Sequence, residues 1–360
     1  SKLKNNETKY GFSEAVNSQK NKKNKIKFFN LGPENDWNKI LDKNLKEKLN
    51  KVFEKDLDEL SYFYLSLGYL LQGELFHFYK HHMDFITEHA VDPDKRRYAV
   101  KGEAEKHYID IDHFSPNDED PFKIMPRKWN DAVNKFSKDT LLKYGISPWN
   151  IQWMLKKLTD AFKNKDLERI LKYSAEIGHY IADAHVPLHS TENYNGQFTN
   201  QKGIHGFWES RVPELFFNEY DLITGKANYI NFPLNDTWNT IEQSFKAVDS
   251  VLDFEKQLTL DWAEDRKYAY EKRGRITMKV YSRDFSNAYS DMLDGMQEKR
   301  IRASIKSIGS YWYTAWINAG QPNLTELYKN KSKIINLDKI NEIENPKSNN
   351  KRIEARSHNN

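Results

Sequence analysis

The sequence contains no cysteine. Disulfides and thiolate metal sites are therefore excluded, and any zinc must be held by histidine, aspartate, glutamate or main-chain groups. No apolar run approaches the roughly 18 residues of a membrane-crossing helix. An excess of one charge is also missing: 56 basic and 52 acidic side chains leave a formal net charge of only +4. That balance argues against a protein that coats nucleic acid. Internal repeats, sustained period-two alternation and a charged-then-apolar leader are absent too, so strands are expected to matter little. The chain starts SKLKNNETKYGF without an initiator methionine, as expected if a leader had been removed or the start trimmed.

What is present is length, aromatic mass and helical periodicity. The 360 residues include 20 Phe, 20 Tyr and 9 Trp, enough for a large core rich in rings. Apolar spacing predicts an all-α fold with helices over about 61–90, 94–107, 127–144, 148–163, 166–186, 205–220, 238–257 and 283–316, with Gly68 and Gly73 as breaks in the first. Turn-rich links fall at 115–118, 190–203 and 231–236. Three parts are expected: a Lys/Asn-rich extension over 1–60 with one amphipathic helix, a multi-helix domain over 61–327, and a polar tail over 328–360. Residues 35–39 (NDWNK) and the helix after them faintly resemble the C-terminal tail of the sulfotransferases. The basic residue and phosphate loop of that family are missing, so no such activity is expected.

Chemistry concentrates between Ile177 and Glu209, IGHYIADAHVPLHSTENYNGQFTNQKGIHGFWE. His179 and Asp183 are four apart, as are His205 and Glu209, and i,i+4 residues share a helix face. His189 lies between the pairs. Upstream, Asp92 and His107 offer two further donors, so Asp92, His107, His179 and Asp183 could close one site. His189, His205 and Glu209 could form a second, with its open position left for water. Either pair alone is more often a surface or capping pair than a metal site. Lys95, Arg96 and Arg97 suit a substrate phosphate or a salt-bridged helix start. His185, with His77, His81, His82, His89 and His113, suits an orienting or core role. His358 lies in the tail, and Trp208 between two ligands suits packing.

The order Asp92, His107, His179, Asp183, His189, His205, Glu209 resembles the superfamily of zinc-dependent phospholipase C and single-strand nucleases. The segments HAVDPDKRRYA, HYIDID, GHYIADAHVPLH, GIHGFWESRVPEL and GSYWYTAWINAGQP are similar to a bacterial phospholipase C-like branch, covering about residues 65–325. The resemblance implies an orthogonal helical bundle around a zinc cluster. It implies one zinc on Asp92, His107, His179 and Asp183 and another on His189, His205 and Glu209. Catalytic roles would fall to Asp92, which could orient or deprotonate a nucleophile, and to Asp183 and Glu209. Arg96, Arg97 and His185 would meet substrate. The family's third zinc uses an N-terminal Trp, a His just downstream and the equivalent of Asp183. Here no His precedes His77, and ELSYFYLSLG at 59–68 offers none. The expected activity is phosphodiester hydrolysis on phospholipid head groups or single-stranded nucleic acid, with peripheral membrane contact and a periplasmic or extracellular location. The alternative is a metal-binding homologue impaired by loss of the third ion.

Overall fold

A computed structural model describes residues 70–329 apart from 72 and 116–118, together with residues 335, 337, 340, 341 and 344. The extension over 1–60, its amphipathic helix and its sulfotransferase-like element lie outside the described residues, as does most of the tail.

The helix at the centre is Leu167–Ala184, here α4. Among the helices before it are α1 (Gly73–His89), α2 (Asp92–Arg96) and α3 (Ser147–Lys163). After it come α5 (Val212–Phe216), α6 (Pro233–Lys246), α7 (Val248–Asp261), α8 (Arg283–Met292) and α9 (Met296–Asn318). Asp166 caps α4 by accepting the Arg169 N–H at 3.2 Å. Fourteen of its 18 residues are buried, so it is covered nearly all round, wrapped by α1, α3 and α9. Its buried charges are paired: Lys172 Nζ lies 3.0 Å from Glu176, which lies 2.9 Å from Arg96. The close approach of α9 to the chain before α1 depends on Gly309. A Cβ there would stand 2.6 Å from the Leu70 side chain.

Two apolar clusters make up the interior. The larger joins α1, α3, α4 and α9, with Tyr79 stacked on Trp312 at 4.2 Å and Trp149 edge-on to Trp129 and Trp238. The smaller holds Leu188, Ile204, Phe207, Trp208 and Val212 against α7 and α8. Tyr220 and Phe245 pack on both. The expected aromatic core is therefore present, divided at a seam.

Several expected helices are cut by turns. The 283–316 segment breaks at Asp294 and Gly295, both at positive φ, and the 127–144 segment breaks at Ser137, φ 68°. In the 94–107 segment the helix ends at Arg96, and turns that include Gly102, φ 85°, follow. The expectation that strands would not matter meets one exception, the hairpin β1 (Tyr268–Arg273) and β2 (Ile276–Tyr281). Its two-residue loop places Gly274 first at φ 64°, the conformation that a type II′ turn demands. Among the described residues no helix is long and apolar enough to cross a membrane.

Candidate metal centre

The seam between the two cores is where the donors meet. Its first group rests on α4, where the i,i+4 spacing sets His179 and Asp183 on one face. His179 Nε2 lies 3.4 Å from Asp183 Oδ2. His107 arrives from the turn Ala104–Lys106, its Nδ1 lying 2.9 Å from Asp183 Oδ2 and 3.1 Å from His179 Nε2. Asp94 Oδ1 is 3.8 Å from both imidazole nitrogens. Donors around a tetrahedral zinc with bonds of about 2.0–2.1 Å stand about 3.3 Å apart. Asp94, His107 and His179 gather within 4.8 Å of one another, and Asp183 adjoins the two imidazoles.

The second group comes from the other core. The turn Pro187–Ser190 is clasped to the chain after His107 by two bonds. His189 Nδ1 donates to the His107 carbonyl at 2.7 Å, and the Ile109 N–H donates to the His189 carbonyl at 2.9 Å. His205 Nδ1 donates to the Tyr194 carbonyl at 3.0 Å. Both Nδ1 atoms thus carry the proton, leaving each Nε2 lone pair for an ion. His205 Nε2 lies 2.7 Å and His189 Nε2 3.7 Å from Glu209 Oε2. The intervening loop is wound by amides: Asn195 Oδ1 accepts the Gly203 N–H at 3.0 Å, and Gln201 Nε2 donates to the Leu252 carbonyl at 2.7 Å. Glu209 sits in a π-helical turn, Phe207–Arg211, where the Val212 N–H reaches back to the Phe207 carbonyl. Pro213 explains the turn: it has no N–H, and its ring would strike the Glu209 carbonyl in a regular helix.

Charge follows geometry. Burial alone would raise the Asp183 carboxyl, but His179, His189 and a hydrogen bond from His107 hold it down at about 2. Glu209 is likewise held well below its ordinary value: burial opposes this, and His189 and His205 prevail. Burial keeps His107 below the usual imidazole range despite Asp183, so it is a neutral ligand. Burial pushes His189 down, yet Asp183 and Glu209 raise it overall. A cation bound between these groups would take the place of such a proton. The donor types of both groups, and the Nδ1–H tautomers of His189 and His205, fit zinc.

Asp92 is not at the cluster. Its carboxylate faces His89 Nδ1 at 2.6 Å and Lys95 Nζ at 2.8 Å. Residues two apart on a helical turn point about 200° from each other, so only one of Asp92 and Asp94 can face His107, and the geometry offers Asp94. Of the expected phosphate contacts, Arg96 is committed to Glu103 and Glu176. Arg97 is buried with Nη1 3.4 Å from Asp94, while its Nε and Nη2 meet no hydrogen-bond partner among the described residues. His185 donates from Nδ1 to the Ile181 carbonyl, and burial and Arg300 push it down to about 3, so it lines a cavity as a neutral ring.

Glu103 escaped the sequence reading, although it lies four residues before His107, the spacing used elsewhere for ligand pairs. It is fully buried, takes hydrogen bonds from Lys106, Arg96 and Tyr180, and lies 3.9 Å from His107 Nε2. It supports the imidazole through its charge, since His107 Nε2 meets no hydrogen-bond partner among the described residues.

A family model described as zinc-dependent phospholipase C matches residues 63–272, more than half of the chain. The chain belongs to this family. Both donor groups lie within the matched residues, which makes this zinc-dependent phospholipase C family member a zinc phosphoesterase at the family level. A search of curated proteins finds no match.

Proposed function

We propose that the chain hydrolyses the phosphodiester bond of phospholipids, releasing the phosphorylated head group. Zinc would be held by Asp94, His107, His179 and Asp183 and by His189, His205 and Glu209. The observation that carries this reading is a junction of surfaces. Asp94, His179, Asp183 and Glu209 border one cavity of about 430 Å³, and Leu70, Met83, Ile86, Ile305 and Ile308 supply apolar wall beside them. A phosphate joined to an apolar chain suits that succession better than a polynucleotide, whose backbone calls for basic side chains.

Zinc supplies Lewis acidity toward phosphate oxygens and water. The protein's own part is orientation and proton handling. Asp94, half exposed and steadied by Arg97, is placed at the cavity to accept a proton from an attacking water. Asp183 remains ionised and buried, holding His107 and His179 in register. A periplasmic or extracellular location goes with this reading.

The test is turnover of a short-chain phospholipid by the zinc-loaded chain, with and without a chelator. Activity should vanish on chelation and in His179→Ala and Glu209→Ala. Zinc content near two ions with no turnover of any phosphodiester would instead support an impaired, metal-binding homologue. Chelator-resistant activity would refute the reading.

A further inference from the structure

The cavity beside the metal centre has two unlike ends. Helices α4 and α9 run antiparallel along it. Trp312 Nε1 donates to the Ser174 carbonyl at 3.1 Å, Ile308 meets Gly178, and Arg300 Nε donates to the His185 carbonyl at 2.7 Å. The cavity-facing residues of α9 fall on one stripe from Gln297 through Ile301 and Ile305 to Trp312, about 22 Å at 1.5 Å per residue. His179 and Asp183 lie between the levels of Trp312 and Gln297. Near Trp312 the walls are Leu70, Met83 and Ile308.

The opposite end carries two buried polar side chains, Gln297 and Trp208, whose polar atoms are unmet among the described residues. Gln297 is 1% exposed and Trp208 3% exposed, and both line the cavity. Gln297 Oε1 and Nε2 and Trp208 Nε1 have no hydrogen-bond partner among the described residues. Met296, beside Gln297, packs on the core cluster that contains Trp208. Leaving a buried amide and indole N–H unsatisfied is costly, which points to a ligand that pairs with them. Arg300, also lining this end, meets no carboxylate among the described residues.

We propose that Gln297 and Trp208 form a head-group site that selects a hydroxyl-bearing head group, glycerol-like, over choline. This rests on the phospholipid reading above. Laid along the cavity, such a lipid has its chain toward Trp312, its phosphate at the donors and its head at Gln297. A hydroxyl can accept from Gln297 Nε2 or Trp208 Nε1 and donate to Gln297 Oε1. A trimethylammonium group can do neither, and it would lie near the Arg300 charge.

The test compares dioctanoyl phosphatidylglycerol with dioctanoyl phosphatidylpropanol, which has the same charge and chains but no head-group hydroxyls. The zinc-loaded full chain should favour the glycerol lipid in kcat/KM by about tenfold or more, because the hydroxyl-free analogue strands the buried polar atoms. Gln297→Met should bring that ratio toward one, with Tm held or raised as an unpaired amide is removed. Trp208→Phe, which deletes only the indole N–H, should lower the ratio too and decides the matter if Gln297→Met does not fold. Equal turnover of the two lipids by the unmodified chain, or faster turnover of dioctanoyl phosphatidylcholine than of the glycerol lipid, overturns the head-group site alone. Turnover of single-stranded DNA with no turnover of any lipid removes the phospholipid reading and this site with it.

Discussion

Glu103→Gln removes one charge from the buried support of His107 while keeping its shape. Burial should raise the Glu103 carboxyl, but Lys106, Arg96 and the Tyr180 hydroxyl override it and hold it at about 2, against an ordinary 4.5. At about 1.4 kcal/mol per pH unit, that difference corresponds to about 3 kcal/mol of stability at neutral pH. Arg96 keeps Glu176 at 2.9 Å and Lys106 is partly exposed, so part of the loss is absorbed. The expected cost is therefore about 2–3 kcal/mol, below the 3–5 typical when a buried pair is broken outright. The pH dependence has a definite sign. A carboxyl depressed in the folded state stabilises above pH 4.5, and the contribution fades as pH falls toward about 2. Urea denaturation of zinc-free protein at several pH values should show the two proteins converging as pH drops through that window. Zinc affinity should also fall, because a negative charge 3.9 Å from His107 Nε2 is lost. A variant within 0.5 kcal/mol of the parent across that range (a margin set by the usual scatter of surface changes, ~0.5 kcal/mol) and with unchanged zinc affinity would refute the argument.

Asp94→Asn and Asp92→Asn should separate sharply. The first should lower turnover by about 100-fold, within the range of lost acid–base groups. The second should cost at most about 1 kcal/mol of stability, read by denaturation, since its partners are an exposed lysine and His89. Chelation should lower Tm, because ions at the seam bind only the folded chain; calorimetry with and without zinc checks this. Gly309→Ala should destabilise by about 1–3 kcal/mol through overpacking against Leu70, measured by urea denaturation.

Much of the centre was legible because its spacing obeys helix geometry. His179 with Asp183 and His205 with Glu209 are i,i+4 pairs, and both are held together in the structure. Composition does not reveal which face of a five-residue helix looks inward, so Asp92 and Asp94 could not be told apart; in the structure Asp94 is the one near His107. The breaks at Ser137 and Asp294 were hidden by flanking apolar periodicity, which runs through a turn when both helices pack on the same core. The hairpin Tyr268–Tyr281 went unread because its exposed positions mix Tyr270, Lys272, Ile276 and Met278 rather than alternating cleanly with a buried set. Gln297 carries no local signal. Its interest comes only from the helix it opens and the cavity it meets.

Pro213 holds a decision about the whole enzyme in a single ring. By denying a hydrogen to the carbonyls behind it, it traps one surplus residue between Phe207 and Val212 and so sets the azimuth from which Glu209 approaches. A lineage that exchanged it for alanine would gain a more regular coil and forfeit that angle. Thermal robustness and grip on the ion should then move in opposite directions at one codon.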